Sequence, residues 1–473
     1  MNTNADEKPA ASGPRRRRLH IPLILLLTAA AVAAFARSIK QQPHLSVAAP
    51  VKTEQTADQI LASLPAPSES TATGKLMIAM LNRIRSSSED ASAWTALGDL
   101  LAQEYRNSGD TAYYSHAEAA YRRALKLDPR EVDAMTGLAW VFGGRHMFLE
   151  STEWARRALD IQPDNRAAYG ISGDATLEQG DYELALDHYR KMTELRPDLS
   201  SWSRGAHLLW ITGDASRAIA LMQMAIRSGA PFAENTAWCR ARLAMMFFHD
   251  GALVPASQTI EAALAGAPTN THVLLAAGRI AAAKGDLAAA ERHYQTMLKG
   301  GPNLDALVAL GDLSMAKGDK AAAEELYAKV EALHRANVAA GVHDHTTIAK
   351  FYADHDRHLA EALVLAEQHK LTRNVQEADI LAWVYFKNGD RAHAIEFMKL
   401  ALSQNTPDPE MQFHAGMIAA QAGDRASAQK HLQAALAMNP RFHPIFADVA
   451  ASTLDELGGL STAGNTVRSA TKK

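Results

Sequence analysis

The chain has 473 residues, of which 47% are hydrophobic and 21% charged, so it has ample material for a large buried core. Its single cysteine, Cys239, excludes an internal disulfide framework and any paired-cysteine metal or redox motif. The formal net charge of −3 is uneven, because the first forty residues carry +5 and the remainder −8, and an acidic body argues against nucleic acid as a general partner.

The first predicted element is an apolar segment near the amino terminus. Residues 1–18 are polar and end in four arginines, Arg15 to Arg18, and an uncharged run follows from Leu19 to Ala36. As a helix this run would reach about 27 Å, close to the hydrocarbon thickness of a bilayer, about 30 Å. We predict a single-pass signal anchor at 19–36. The alternative is a signal peptide cleaved after Ala36, at the Ala34-Phe35-Ala36 triplet, which would release a secreted protein.

Both interpretations give the same orientation. The arginines stay in the cytoplasm and the rest of the chain is periplasmic or extracellular. Residues 37–75 are rich in Pro, Ala, Ser, Thr and Gln, with prolines at 43, 50, 65 and 67. Such a stretch cannot bury enough apolar surface to fold alone, so we predict a flexible spacer with a short helix around 57–64.

A repeated pattern occupies residues 76–446. Gly-Asp dipeptides recur, mostly 33 or 34 residues apart, at Gly180, Gly213, Gly285, Gly318, Gly389 and Gly423, and Asp250-Gly251 has the order reversed. Prolines form a second track at 129, 163, 197, 231, 268, 302 and 440. Each unit therefore predicts a helix A that ends at the glycine, a helix B capped by the aspartate, and a proline that stops helix B.

This pattern resembles the tetratricopeptide repeat. The eighth position of a unit is small, with Lys350 the one departure, at Gly98, Ala139, Gly173, Ala206, Ala244, Gly278, Gly311, Ala382 and Gly416. Stretches such as "QGDYELALDHYRKMTELRPDLSSWSR" are also similar to an uncharacterised family of exported or membrane-anchored bacterial repeat proteins. The resemblance implies an all-α, right-handed superhelix of about ten units. Bulky Tyr121, Tyr189, Tyr294 and Tyr327 would fill the space between units.

Two units and the carboxyl terminus depart from the pattern. The first unit carries extra residues in its turn, around "EYRNSGDTAYY", and the eighth lacks the glycine turn and the closing proline. We expect both units to be irregular. Residues 447–473 end in a polar stretch and are predicted to be disordered.

The resemblance implies that helix A lines the concave surface. The aromatic residues and histidine at the corresponding positions are Trp140, His207, Trp210, Trp238, Phe248, Phe351, Trp383 and Phe413, joined by Met245, Met315, Phe386 and Met417. A groove lined by rigid aromatic rings and adaptable methionines suits an apolar or extended peptide. The alternative is that these side chains pack against neighbouring helices.

Histidines raise the question of a metal site in the eighth unit. His343 and His345 precede its helix A, and His355 and His358 follow it. A helix length separates the two pairs, so we interpret them as solvated polar turns and predict no metal site. No catalytic or phosphate-binding motif is present, so we predict neither an enzyme nor a cofactor.

The sequence thus favours a membrane-tethered scaffold that binds another exported protein in its concave groove. The alternative is a binding protein for an envelope glycan or small ligand, with aromatic rings as stacking platforms. We favour the protein partner, because a sugar site also needs convergent polar groups.

Overall fold

Helices account for all regular secondary structure in the part of the chain that the structure describes. The structure is a computed structural model, and it describes residues 55–231 and 233–458. These ranges contain 23 α-helices, two 3₁₀ turns at Glu367–His369 and Leu402–Gln404, and no strand. The all-α prediction is confirmed.

The first twelve helices are α1 (Ala57–Ser63), α2 (Ala72–Ser86), α3 (Ala91–Ser108), α4 (Ala112–Leu127), α5 (Val132–Gly144), α6 (Phe148–Ile161), α7 (Arg166–Glu178), α8 (Tyr182–Leu195), α9 (Leu199–Ile211), α10 (Ala215–Ser228), α11 (Glu234–His249) and α12 (Leu253–Gly266). The remainder are α13 (Thr271–Ala283), α14 (Leu287–Gly300), α15 (Leu304–Ala316), α16 (Lys320–Ala339), α17 (His345–Asp354), α18 (Leu359–Ala366), α19 (Val375–Lys387), α20 (Arg391–Ala401), α21 (Pro409–Ala422), α22 (Arg425–Met438) and α23 (Phe446–Glu456).

Ten helix pairs repeat the predicted A–B arrangement, from α3–α4 to α21–α22. The odd-numbered helix of each pair is helix A and the even-numbered one is helix B. Each helix A packs against its own helix B, and helix B packs closely against the next helix A everywhere except between α16 and α17. We number these pairs as units one to ten.

The turn chemistry predicted for the units is confirmed. The glycines of the six Gly-Asp turns, from Gly180 to Gly423, have positive φ values between 73° and 84°, which end helix A in the left-handed conformation that glycine tolerates best. The next aspartate accepts a hydrogen bond from the backbone of helix B, as Asp181 does from Leu184. Gly251, in the reversed dipeptide, also has a positive φ, of 67°, but Ala252 then begins α12 without a side-chain cap.

Small residues at the eighth position make room for the tyrosines. A Cβ built on Gly173 would come within 2.4 Å of the Tyr189 ring, and one on Gly278 within 2.2 Å of the Tyr294 ring. Tyr121 fills the space of two units at once, since its ring lies against both Gly98 and Gly137. A larger residue at these positions would push the A and B helices apart.

The two units predicted to be irregular are irregular. In unit one, α3 has 18 residues, against 13 in α5, and ends at Gly109 in the left-handed conformation. In unit eight, α17 has only 10 residues, and Asp356 and His358 take positive φ values of 52° and 42°. Non-glycine residues in that conformation cost about 1 kcal/mol each, so the surrounding packing must stabilise this turn.

Both ends of the repeat array are more ordered than predicted. The short helix expected near 57–64 is confirmed as α1, but Ile60 is buried in the core of unit one, so the flexible-spacer prediction is wrong for this part of 37–75. The disorder prediction is wrong for 447–456, because α23 covers these residues and buries Ala450 and Leu454 against α22. Residues 459–473 lie outside the described residues.

Distant units touch along a line of contacts that we call the seam. Three loops, at 373–375, 404–406 and 438–441, meet the carboxyl ends of α7, α9 and α11. Their side chains donate hydrogen bonds to helix-end carbonyls: Asn374 Nδ2 to Glu178 at 3.1 Å, Thr406 Oγ1 to Ile211 at 2.6 Å, and Asn439 Nδ2 to Phe248 at 2.8 Å. Unit three therefore meets the loop before unit nine, unit four meets the loop before unit ten, and unit five meets the loop that follows unit ten.

The seam continues on both sides of these three contacts. Arg441 Nη1 donates to the carbonyl oxygen of Ala283 at 3.4 Å, and the backbone N–H of His343 donates to the carbonyl of Arg145 at 3.2 Å. Val342 packs into the core of the first two units. The repeats therefore coil tightly enough for successive turns of the superhelix to contact each other.

Within the described residues, no helix has the length and apolar character needed to cross a bilayer. The predicted anchor at 19–36 lies outside those residues.

Candidate functional site

All eight predicted groove residues lie on A helices, but most are packed. Trp210, Phe248, Phe351, Trp383 and Phe413 are buried, with 8% exposure or less. The other three, Trp140, His207 and Trp238, are half-buried. Burial of five side chains matches the packing alternative that the sequence left open. A ligand contact for any of the eight stays a prediction.

Trp383 illustrates why these rings are covered. Its ring stacks on His414 at a centroid distance of 4.2 Å and on Phe386 at 4.8 Å. Its indole N–H donates to Asp354 Oδ1 at 2.9 Å. The stacking contacts and the hydrogen bond of Trp383 are thus all made within the protein.

A cavity of about 750 Å³ lies among the A helices of units five to ten. Most of its lining comes from the A helices α11, α13, α15, α17, α19 and α21. The B helices α14 and α16 and residues 440–448, which lead into α23, complete it. Phe248 and Phe351 are the members of the predicted groove set that line it, and apolar walls are added by Met245, Leu304, Val308, Val330, Ile348 and Ile380. The volume lies within the range of ligand pockets, roughly 300–1,000 Å³.

The cavity lining is rich in carboxylates. Seven are present: Asp305, Asp312, Asp344, Asp354, Asp408, Glu410 and Asp448. The permanently charged basic residues of the lining are Arg279, Lys350 and Arg441. With neutral histidines, the lining therefore carries an excess of four negative charges.

Lys350 bridges two of these carboxylates. Its ammonium lies 2.6 Å from Asp354 Oδ2 and 2.6 Å from Glu410 Oε1. Burial alone would lower the pKa of Lys350, but the two carboxylates raise it above its ordinary value. Burial would raise the pKa of Glu410, and Lys350 instead holds it well below its usual range. Lys350, the large residue at position eight of unit eight, thus forms an ion-pair cluster with Asp354 of its own helix and Glu410 of α21.

Among the described residues, the same cluster contains a group of three side chains that could hold a metal ion. Ligand atoms of Asp354, Glu410 and His414 lie within 4.8 Å of one another. His414 Nδ1 pairs with Asp379 Oδ1 at 3.0 Å, while its Nε2 is buried and has no hydrogen-bond partner among the described residues. Two carboxylates and an imidazole could hold a divalent cation. In this structure the Lys350 ammonium already supplies a positive charge between the two carboxylates.

A second buried cluster surrounds Asp312. His355 Nε2 lies 2.7 Å from Asp312 Oδ1, Tyr327 donates its hydroxyl to the same oxygen at 2.9 Å, and His443 Nε2 lies 3.4 Å from Oδ2. His343 is exposed, as predicted, but the prediction of a solvated turn is wrong for His355, whose side chain is only 8% exposed. His355 directly follows α17, and both of its ring nitrogens have partners inside the protein, since Nδ1 also lies 2.7 Å from the carbonyl oxygen of Phe351.

Sequence signals for these clusters existed. Lys350, which departs from the small-residue position, belongs to the first cluster. The missing glycine turn of the eighth unit falls at His355, which belongs to the second. The partner residues Asp312, Glu410 and His414 carried no signal, since they occupy ordinary positions of other A helices.

Comparisons with known proteins agree with the repeat architecture. Family models of the tetratricopeptide repeat match residues 152–200, 275–337 and 380–406. No curated protein matches the chain. Among solved structures, it is similar to the human IFIT1 dimer with m7Gppp-AAAA (16% identity, 70% of this chain and 76% of that chain, TM-score 0.46). It is also similar to the APC/C hetero-tetramer Cut9-Hcn1 (15%, 83% and 61%, 0.43) and to pilF of Pseudomonas aeruginosa (22%, 46% and 96%, 0.34).

Proposed function

We propose that this tetratricopeptide-repeat protein is a membrane-tethered scaffold that holds a segment of another exported protein inside its coiled repeats. The repeat architecture supports a binding scaffold in general, because stacked units form an extended concave surface. We propose a binding role without catalysis or a cofactor.

The cavity carries this proposal. Its volume of about 750 Å³, its apolar walls and its convergent charged groups are the combination expected of a ligand site. A continuous lining from units five to ten favours an extended occupant, which contacts several A helices in turn.

Filling the cavity tests the proposal. Thr347 lines it and is exposed, so Thr347→Trp would add a large ring without removing a packed side chain. We expect this variant to lose its partner in crosslinking and affinity capture from solubilised membranes. Thr271→Trp is the matched control, since Thr271 is exposed at the start of α13, outside the lining.

The outcomes separate the candidate functions. A protein captured by wild type and Thr271→Trp but lost from a still-folded Thr347→Trp supports the cavity as the site. Capture of the same proteins by all three would place binding elsewhere on the surface. Thermal stabilisation by cell-wall fragments, with no captured protein, would favour the glycan alternative.

We also propose that residues 19–36 anchor the chain, with the arginines in the cytoplasm and the repeats in the periplasm or outside the cell. The uncharged run and its four preceding arginines support this orientation. Intact-mass analysis of the membrane-bound protein after a carbonate wash tests it. A chain that begins after Ala36, recovered in the soluble exported fraction, would instead indicate a cleaved signal peptide.

A further inference from the structure

The cavity has a charge pattern that selects its occupant. Its seven carboxylates face three fixed cations, and several are neutralised internally. Lys350 pairs with Asp354 and Glu410, and Asp312 pairs with His355. These pairs leave the rest of the lining to determine what charge an occupant must carry.

Two carboxylates remain available. Asp305 and Asp448 line the cavity, are exposed, and form no hydrogen bond or ion pair through their side chains among residues 55–231 and 233–458. Asp344 and Asp408 also face the cavity, but each caps a helix, α17 and α21 respectively. An acidic segment or a nucleic-acid phosphate entering here would meet net repulsion, whereas a cationic side chain would be attracted.

The apolar walls suit the stem of such a side chain. Lysine and arginine bury their methylene chains on apolar surface while their charged ends reach polar groups. Val308 and Leu304 lie on the same helix as Asp305 and supply that surface. Arg279, also exposed in the lining, can donate to the backbone carbonyls of an extended segment.

We propose that the occupant of the cavity is an extended protein segment in which a lysine or arginine stands between apolar residues. This inference rests on the proposed function, since it names the chemistry of the segment that the scaffold holds. It assigns Asp305 and Asp448 as the carboxylates that receive the cationic side chain.

A random peptide library tests the proposal without knowledge of the natural partner. Phage-displayed dodecamers are panned against the full-length chain in detergent, against Asp305→Asn/Asp448→Asn, and against Asp160→Asn/Asp187→Asn. The last pair also removes two negative charges, but from exposed residues of α6 and α8 outside the lining. All three proteins otherwise match, so non-specific attraction of basic peptides would affect the two variants equally.

We expect lysine or arginine to be enriched next to apolar residues with wild type and with the control pair. The cavity pair should lose that enrichment and bind the best peptide at least about tenfold more weakly, because two charge-assisted contacts are lost. Enrichment of acidic or uncharged peptides, or equal enrichment with both variants, would overturn this inference. If the enriched peptides are uncharged but fail to bind Thr347→Trp, the proposed function stands and only the charge inference is overturned. If no peptide is enriched with any of the proteins, the proposed function and this inference are both overturned.

Discussion

Lys350 is a residue whose charge is more important than its packing. It occupies a position that is small in the other units, and its ammonium is shared between Asp354 and Glu410. The side chain is 29% exposed and the Asp354 side chain 9%, so water screens the pair only in part. Removing the ammonium would leave two carboxylates close together without compensation.

Lys350→Met should therefore lower the free energy of unfolding by about 2–4 kcal/mol. Lys317→Met is the matched control, because Lys317 pairs with Glu291 at 2.7 Å where both side chains are 40% exposed, and its loss should cost less than about 1 kcal/mol. Urea unfolding of both variants measures the difference. Equal, small effects would mean that the cluster contributes little to stability.

His355 makes stability depend on pH. Burial would lower the pKa of His355, but Asp312 reverses this and leaves it above the ordinary value of 6.5. The pKa of Asp312, which burial would raise, is held below its ordinary value of 3.8 by the histidines beside it. The His355 contribution is thus fully present below pH 6.5 and is lost as the pH rises through the raised pKa, whereas that of Asp312 is lost only in acid.

We accordingly expect the thermal midpoint of the wild type to fall between pH 6 and pH 9 more than that of His355→Gln, which retains a polar side chain but does not titrate. Calorimetry at several pH values, with the buffer ionisation matched, measures this. Parallel pH profiles for the two proteins would show that His355 is not charged in the folded state.

The helices and turns of single units could be predicted because their signals are local. A glycine in the left-handed conformation, an aspartate cap and a proline each act within a few residues, so the order of the ten units and the turns of the six units with a Gly-Asp dipeptide followed from the sequence. The burial of Trp383 and Phe413 could not be predicted in the same way. The unit pattern places them on helix A, but how tightly successive helices A close on each other depends on the pitch of the coil.

At the scale of the element, two glycine turns share a backbone conformation and differ in surroundings. Gly180 and Gly389 have φ of 73° and 80°, so alanine would strain both by about 1 kcal/mol. A Cβ at Gly180 would come within 2.1 Å of the Arg373 carbonyl carbon across the seam, whereas one at Gly389 meets nothing within 4 Å. Of these two turns, only that of Gly180 lies in contact with another chain segment.

Gly180→Ala should therefore lower the thermal midpoint clearly more than Gly389→Ala, and it should increase hydrogen exchange at residues 373–376, where the seam would open. Differential scanning fluorimetry and exchange mass spectrometry measure the two effects. Similar midpoints for both variants would indicate that the loop at 373–375 can move away from the added methyl group without loss of stability.

At the scale of the whole molecule, the seam distinguishes this protein from a simple linear repeat array. In such an array each unit contacts only its neighbours, and stability is close to a sum of local terms. Here three buried side chains, Asn374, Thr406 and Asn439, connect units that are far apart in sequence. The sequence period predicted the units but not these contacts, because they join residues with no local relation.

Asn439→Ala should weaken that connection. It would remove the side-chain donor from the buried carbonyl of Phe248, which keeps the backbone N–H of Gly251 at 3.0 Å, so the cost is about 0.5–1.5 kcal/mol. It should also separate the unfolding of the last units from that of the first. Asn82→Ala, at an exposed position of α2, is the control. Calorimetry should show a broader or divided transition for Asn439→Ala alone, and an unchanged single transition would refute the coupling.

The seam also determines the order of events when the chain is made. The hydrogen bonds of Asn374, Thr406 and Asn439 join residues 191 to 196 positions apart, which gives an otherwise local, helical topology a set of contacts with high contact order. Units one to six are complete before the loops at 373–441 have been synthesised, so the wall of the cavity closes last. A segment already lying on the first units at that moment would be enclosed by the final ones, rather than threaded into a finished channel.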